Sequence, residues 1–283
     1  MSASTRIVFW NIRAGGGKRA EAIGDQLLAW QPDVIGLSEF RGTPASQSLA
    51  ERLSGAGWPH QIQTTDRTAR ARNALLLASR WPLRRRRIAG MPVLRDRWLL
   101  ARIEAPRPFT MGLVHAPNFT SPDLKYPLLE AILDIAGRWR SGPSLIGGDT
   151  NSGLRHLDEE TPLGPQFHRE YDFIEGMGTR GWADAFRHLH GERREYTWYS
   201  HRNNGFRLDH VFLSPHLIPH LEACRHDWGR HPADPERREG LSDHAAVILD
   251  IATDPAARQP SPTPLRDGNQ QDEDDAPDGH RFP

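Results

Sequence analysis

Leu145-Ile146-Gly147-Gly148-Asp149-Thr150-Asn151-Ser152-Gly153 is a short apolar run that ends in two glycines, an acid, a hydroxyl and an amide. Such a run reads as a buried strand that stops in a tight loop. The glycines let the backbone turn where a side chain would collide. Asp149 and Asn151 lie two residues apart, so both can project from the strand end into one cleft. A carboxylate there can orient or deprotonate a water, and an amide can donate to a phosphate oxygen. Gly, Asp and Asn also fill ordinary turns. The reading therefore depends on whether other apolar runs end in comparable residues.

They do. Arg6-Ile7-Val8-Phe9-Trp10-Asn11-Ile12 is a strand with a polar end, and Gly15 to Gly17 make a connector. A helix follows through Ala22, Ile23, Leu27, Leu28 and Trp30, and Val34-Ile35-Gly36-Leu37 then delivers Ser38 and Glu39. Strand, helix and strand imply a βαβ-like layer. A modest helix is expected near Ser46 to Leu53, then a strand at Leu75 to Ala78 and a solvated edge strand at the charge run Arg84 to Arg87. Arg97 to Ile103 and Phe109 to Val114 read as further strands, the second delivering His115. Asp123 to Trp139 has helical spacing, with Leu124, Leu128, Ile132, Ile135 and Ala136 on one face.

Residues 154–180 are irregular and helical at best, and Gly181 to Phe186 form a compact apolar turn. Tyr196 to Tyr199 are aromatic and β-prone, and Asn203-Asn204-Gly205 marks a hairpin-like turn. Phe206 to Leu213 is a strand with Asp209 inside it, residues 229–240 are irregular, and Leu241-Ser242-Asp243-His244 opens a last strand, Ala245 to Ile251.

The length of 283 residues and 37% hydrophobic content suit one large core. We expect a single domain over 1–253 and a disordered, acidic, Pro-rich tail over 254–283. That tail holds seven acids and three arginines, which leaves the body about four charges positive. So small a surplus predicts no tight nonspecific grip on a polyanion. Only Lys18 and Lys125 are lysines; the other basic residues are Arg, which grips phosphates bidentately. Cys224 stands alone, which excludes an intramolecular disulfide and a thiolate metal cluster. No apolar stretch approaches the ~18 residues of a membrane span. A soluble, cytoplasmic monomer is the expectation.

Asn11, Glu39, His115, Asp149, Asn151, Asp209, Asp243 and His244 all end or interrupt apolar strands. Open sheets gather ligands at one edge of their strands. Glu39 with Asn11 offers hard oxygen ligands, which favour Mg²⁺ or Mn²⁺ over zinc. His244 beside Asp243, with Asp209 available to orient its ring, resembles a carboxylate–imidazole pair. Arg207, two residues from Asp209, offers Asp209 a structural ion pair instead. There is no GxSxG nucleophile motif and no HExxH zinc motif.

In this order, Trp10-Asn11-Ile12, Ser38-Glu39, Gly147 to Asn151, Arg207 to His210 and Ser242-Asp243-His244 resemble the endonuclease/exonuclease/phosphatase superfamily over about residues 5–251. The resemblance implies an α/β fold: a two-sheet β-sandwich flanked by helices, the DNase I-like four-layer arrangement. It implies that Glu39 holds a divalent metal with help from Asn11, and that Asp243 supports that metal. Asp149 would activate the attacking water and Asn151 would bind the scissile phosphate. His244, oriented by Asp209, would stabilise the phosphoryl oxygens, and His115 matches a position where members place His or Tyr against the phosphate.

Tyr196 to Trp198, Asn204 to Asp209 and Gly181 to Arg187 are similar to the abasic-site nuclease branch, which places an aromatic wall beside a flipped sugar. Arg13, Trp198, Phe206 and Arg207 are thus the expected substrate-binding residues. Three features depart from that branch: Arg13 replaces an Asn or Asp, Glu39 lacks the flanking Gln and Lys, and His115 replaces Tyr. The implied activity is Mg²⁺-dependent phosphodiester hydrolysis of DNA by in-line attack of a metal-assisted water. The alternative is the same centre acting on a small phosphoester or lipid headgroup, which the near-neutral body and Arg13 favour. A non-catalytic binding module would require a lost catalytic residue, and none is lost.

Overall fold

The computed structural model describes residues 4–139, 141–162, 169–229 and 240–253. The tail expected over 254–283, and most of the segment expected to be irregular over 229–240, lie outside the described residues. In chain order come β1 (Ser4–Asn11), α1 (Ala20–Trp30), β2 (Val34–Phe40), α2 (Pro44–Gly55), β3 (His60–Gln63) and β4 (Ala74–Ser79). Then follow β5 (Leu83–Arg85), β6 (Trp98–Ile103), β7 (Phe109–His115), α3 (Pro122–Arg138), β8 (Ser144–Asp149) and α4 (Arg169–Thr179). The chain continues with β9 (Ala183–Asp184), α5 (Ala185–His190), β10 (Trp198–Tyr199), β11 (Gly205–Phe206), β12 (Asp209–Leu213), β13 (Leu221–Asp227) and β14 (Ala246–Ala252).

The strands form two 6-stranded mixed sheets, ordered β13-β14-β1-β2-β4-β3 and β5-β6-β7-β8-β12-β9, with β10-β11 as a separate hairpin. The two-residue period of a strand sorts the apolar runs onto two faces. Ile7, Phe9, Val34, Leu75 and Leu77 face Leu99, Met111, Leu113, Leu145 and Val211 between the sheets. Val8, Trp10, Ile35 and Leu37 turn outward onto Ile23, Leu27, Leu49 and Leu53 of α1 and α2. Leu100, Val114, Ile146 and Phe212 turn outward onto Leu128, Ile132, Phe173 and Met177 of α3 and α4. Burial on both faces explains why the central strands read as unbroken apolar runs. The result is helix, sheet, sheet, helix, the expected four layers. Among the described residues no helix is long and apolar enough to cross a membrane.

Several boundaries differ from the sequence expectations. The strand expected over Phe206 to Leu213 is broken into β11 and β12, and the last strand starts at Ala246. β3 and β13 were not anticipated; each is a sheet edge whose partner, not its own pattern, makes it a strand. Pro122 is the first residue of α3, where its missing N–H costs nothing, and Leu124 is exposed instead of joining the apolar face. Residues 83–85 do form an edge strand, against β6.

Gly148 shows how tightly the strand ends are built. Its φ is +129°, and a Cβ would overlap the Val114 carbonyl oxygen of the neighbouring strand. Gly148→Ala is expected to cost about 3 kcal/mol or more, from backbone strain plus overpacking. A urea midpoint unchanged from wild type would contradict this.

Candidate active site

The topology delivers the polar strand ends to one edge. β7 and β8 run parallel, so each offers its last residue; β12 runs antiparallel to β8, so it offers its first. Across these strands His115, Asp149 and Asp209 stand in one row. In the other sheet β1 and β2 are parallel, with Asn11 opposite Ser38 and Glu39 next along. β14 is antiparallel to β1, so the residues just before it, Asp243 and His244, reach the same edge.

The loops hold these groups by backbone bonds. Arg13, Ala14 and Gly15 to Gly17 all have positive φ, and the loop they form wraps Glu39. The Ala14 amide donates to Glu39 Oε2 at 2.7 Å, and the Gly15 amide donates to the Glu39 carbonyl at 2.8 Å. The connector read from the sequence is thus a clamp on an acid. After β8, the Asn151 amide donates back to Asp149 Oδ1 at 2.9 Å, which places Asn151 at φ +48°. Asn151 Nδ2 donates to the Ala116 carbonyl at 2.8 Å, which uses one of its two amide hydrogens.

Asn11 Nδ2 donates to Asp149 Oδ2 at 2.9 Å and approaches Glu39 Oε1 at 3.4 Å. Its Oδ1 accepts from the Arg13 amide at 3.0 Å, and that donor fixes which end of the amide is oxygen. An N–H donor does not ligate a cation. The metal-ligand role expected of Asn11 therefore gives way to orientation of two carboxylates.

His244 Nδ1 sits 2.8 Å from Asp209 Oδ2, and its Nε2 lies 4.0 Å from Asp149 Oδ2. Asp209 is itself held by Thr197 Oγ1, which accepts from its amide at 3.2 Å. Burial opposes the His244 imidazolium, but Asp209, Asp149 and Asp243 outweigh burial and hold its pKa up, at about 10. Burial pushes Asp149 up to about 7, with His244 pulling it down and Asp209 pushing it up. His115 is driven well below its ordinary value by burial, by Arg97 and by His244. The centre thus pairs a charged imidazolium with a carboxylate that titrates near neutrality, where a general base is most useful.

Two donor groups suit a cation. Asp149, Asp209 and His244 offer ligand atoms within 4.8 Å of one another. Two of these groups, Asp209 and His244, already bond each other at 2.8 Å. Glu39 and Asp149 instead present carboxylate oxygens to one amide nitrogen of Asn11, with the Glu39 side chain partly exposed toward the cleft. That oxygen-rich set fits a hard divalent cation.

A cavity of about 860 Å³ opens over this centre, lined by Glu39, Asp149, Asn151 and His244 and walled by Trp198 and Phe206. The two half-buried aromatic rings lie 5.8 Å apart across the β10–β11 hairpin, and Trp198 is 6.4 Å from the His244 ring. Asp243 also lines the cavity, and Arg13 pairs with it at 3.6 Å.

Arg207 is not a substrate contact. Its fully buried guanidinium bonds Asp158 Oδ1 at 2.7 Å and Asp184 Oδ2 at 2.9 Å, beneath the cavity wall. Nor does it pair with Asp209, which is engaged with His244. The sequence reading missed Arg97, which bonds His115, and the buried Lys125, whose Nζ donates to the Asn151 carbonyl at 2.6 Å. The available signal for Lys125 was a lysine at a helix position flanked by apolar residues; for Arg97 there was none.

A family model described as endonuclease/exonuclease/phosphatase matches residues 8–244. No curated protein sequence matches. Among solved structures, the fold is similar to that of the 3′-5′ exonuclease NExo from Neisseria meningitidis, with TM-score 0.69, 23% identity, and coverage of 88% of this chain and 100% of that one. A structure of the 3′ phosphatase NExo from Neisseria bound to a product DNA hairpin gives TM-score 0.67, 22% identity, and coverage of 87% and 99%. An AP endonuclease from Archaeoglobus fulgidus gives TM-score 0.69, 18% identity, and coverage of 87% and 99%. At these identities the structural likeness is one of fold. The family match spans most of the chain and takes in the acids, amides and histidines assembled at the sheet edge, so this chain belongs to the endonuclease/exonuclease/phosphatase family and is a phosphoester hydrolase.

Proposed function

We propose that the protein is a Mg²⁺-dependent phosphodiester hydrolase acting on DNA. The observation that carries this reading is the joining of the acid–histidine centre to an aromatic wall in one cavity large enough for a nucleotide. The DNA-processing activities named for its structural neighbours support it. Mg²⁺ is favoured over zinc by the oxygen donors, with Mn²⁺ as a chemical substitute.

Glu39 would hold the cation, with Asp243 nearby. When bound, the cation would neutralise charge that develops on the phosphoryl oxygens. Asp149 accepts a proton from the attacking water as that water adds to phosphorus in line with the departing oxygen. Asn11 fixes the Asp149 carboxylate for that task. Asn151 donates its second amide hydrogen to the phosphate. The His244 imidazolium, held by Asp209, faces the same oxygens and offsets their charge. Trp198 and Phe206 offer faces on which a base or sugar packs.

The test sets an abasic duplex, a 3′-phosphate hairpin and a plasmid beside a panel of small phosphoesters and lipid headgroups, with Mg²⁺ or a chelator. Metal-dependent hydrolysis of at least one DNA substrate, well above the panel, is expected. Turnover of a panel member with every DNA substrate untouched would replace this reading with a small-molecule phosphatase. Glu39→Gln is expected to weaken Mg²⁺ binding by about 100-fold, read by titration calorimetry. Unchanged affinity would move the cation away from Glu39.

A further inference from the structure

Residues 64–97 hold ten arginines and two aspartates, while the rest of the body, up to residue 253, is four charges negative. The near-neutral total therefore hides one strongly basic stretch. Charge on an edge strand guards it against pairing. That accounts for arginines on β5, but not for Arg67, Arg70 and Arg72, which lie in the loop between β3 and β4. Arg80 is neutralised by Asp33 and Arg84 by Glu104, each at 3.4 Å. Arg70, Arg72 and Arg87 are exposed, and among the described residues no acid lies within ion-pair distance of them.

The fold gathers these side chains on one flank. β3 is the edge of one sheet and β5 the edge of the other. Arg85 Nη2 donates to the Gln63 carbonyl at 3.1 Å, and Thr64 Oγ1 donates to the Asp96 carbonyl at 3.1 Å, so the two edges lie side by side. The β3–β4 loop then turns toward the catalytic edge. There the Gly42 amide donates to the Arg70 carbonyl at 2.9 Å, and Arg41 Nε donates to Asn73 Oδ1 at 2.7 Å. Asn73 and Arg97 line the cavity itself. Burial lowers the Arg97 pKa most; Asp96, Glu39 and Asp149 oppose it, and the neighbouring Arg72 adds to it. Burial also lowers Arg85, and Arg87 adds to it. Like charges thus follow one another outward from the cavity.

The aromatic wall stands at the other end of the strand row. Trp198 bridges to His244 just before β14, and β11 leads into β12. Both of these strands lie on the side of the sheets away from β3 and β5. A nucleotide packed against Trp198 and Phe206 therefore has the arginines on its opposite side.

We propose that this flank is a one-sided track for the DNA backbone, which leaves the cavity past Arg97 and runs over Arg70, Arg72, Arg85 and Arg87. The proposal rests on the DNA reading above and adds the direction in which the bound nucleic acid extends. Guanidinium forks grip phosphates bidentately, and each phosphate so held releases counterions and steepens the salt dependence of binding.

Fluorescence anisotropy of a labelled duplex of about 20 base pairs, in chelator and between about 50 and 200 mM salt, tests the track without turnover. The combined variant Arg70→Gln, Arg72→Gln, Arg85→Gln and Arg87→Gln is expected to bind about 30-fold or more weakly, with the log–log salt slope reduced by at least about two. The pair Arg72→Gln and Arg87→Gln should already reduce it by about one or more. Those two side chains make no hydrogen bond among the described residues, so the pair carries the test if the larger set unfolds. Arg84→Gln with Arg225→Gln is the control. Arg84 points to the opposite face of β5 from Arg85, and Arg225 is exposed on β13, at the far sheet edge. That control should change affinity by less than about 2-fold.

Track variants that bind the duplex as tightly as wild type, or a control that weakens binding as much as the track pair does, overturn the proposal and leave the hydrolase reading standing. A wild type that does not bind the duplex at low salt overturns it as well. Track-dependent binding in a protein that cleaves no DNA would support the track while counting against the DNA reading.

Discussion

Asp149→Asn is expected to keep the fold and lose roughly 10³-fold or more in kcat, with KM little changed. On the proposed mechanism Asp149 takes the proton of the attacking water, and an amide has no comparable basicity. The substitution is nearly isosteric. It does create one conflict, because Asp149 accepts from two donors, the Asn151 amide at 2.9 Å and Asn11 Nδ2 at 2.9 Å. One of them will meet an NH₂ group in the variant. Against that cost of about 1–2 kcal/mol stands the removal of a carboxylate that burial disfavours in its charged form. The two effects oppose each other, so the melting midpoint should move by only a few degrees. Single-turnover hydrolysis with a parallel calorimetric melt checks both halves. A variant that retains more than about a tenth of wild-type kcat would remove Asp149 from the chemistry.

Arg207→Met should give the largest loss of stability, about 3–5 kcal/mol at neutral pH. The wild-type guanidinium is fully buried between Asp158 and Asp184, with contacts of 2.7, 3.1 and 2.9 Å. Arg187 also reaches Asp158, and His210 Nδ1 lies 2.9 Å from Asp184 Oδ2. Burial alone would raise both acids, but Arg207 above all, with His210, holds them below the ordinary carboxylate range.

A depressed acid stabilises the fold above its unfolded pKa, and that stabilisation is lost as pH falls through the lower folded value. Without Arg207 the acids are expected to bind protons in the folded state instead. The deficit of the variant should therefore be greatest near pH 7 and shrink toward pH 4. Urea unfolding at both pH values measures it. A deficit under 1 kcal/mol at pH 7 would mean that the network contributes little. The same network reaches the catalytic loop, since His210 Nε2 is 2.8 Å from the Ser152 carbonyl. Activity should fall together with stability.

These two residues also mark what could be read from the sequence. Asp149 was legible because its signal is local: a buried run, two glycines and an acid in sequence order. Glu39, His115, Asp209 and His244 were legible for the same reason, each ending or opening an apolar strand; those strands alone read as a βαβ-like layer, and the four layers were implied by the resemblance that the motif order carries. Arg207 was misread because its partners are distant in sequence: Asp158 comes from the loop after β8 and Asp184 from β9. The two-residue face rule that links it to Asp209 also fails there, because the strand breaks at Leu208. Asn11 was expected as a metal ligand, and only the Arg13 amide reveals which end of its side chain faces the acids. Arg97 was illegible because its meaning lies wholly in a contact with His115 across the β6–β7 pair. The edge strand β13 carries too few apolar residues to announce itself before β14 is in place.

The proposed mechanism needs one seat for a hard cation where the two sheets meet at their polar edge. Mn²⁺ added to isotopically labelled protein broadens the NMR signals of nuclei close to it. The account predicts selective broadening at residues 11–15, 39, 149–151 and 243–244, reversed by excess Mg²⁺ and weakened by Glu39→Gln. Broadening centred elsewhere, or one that Mg²⁺ does not displace, would contradict it.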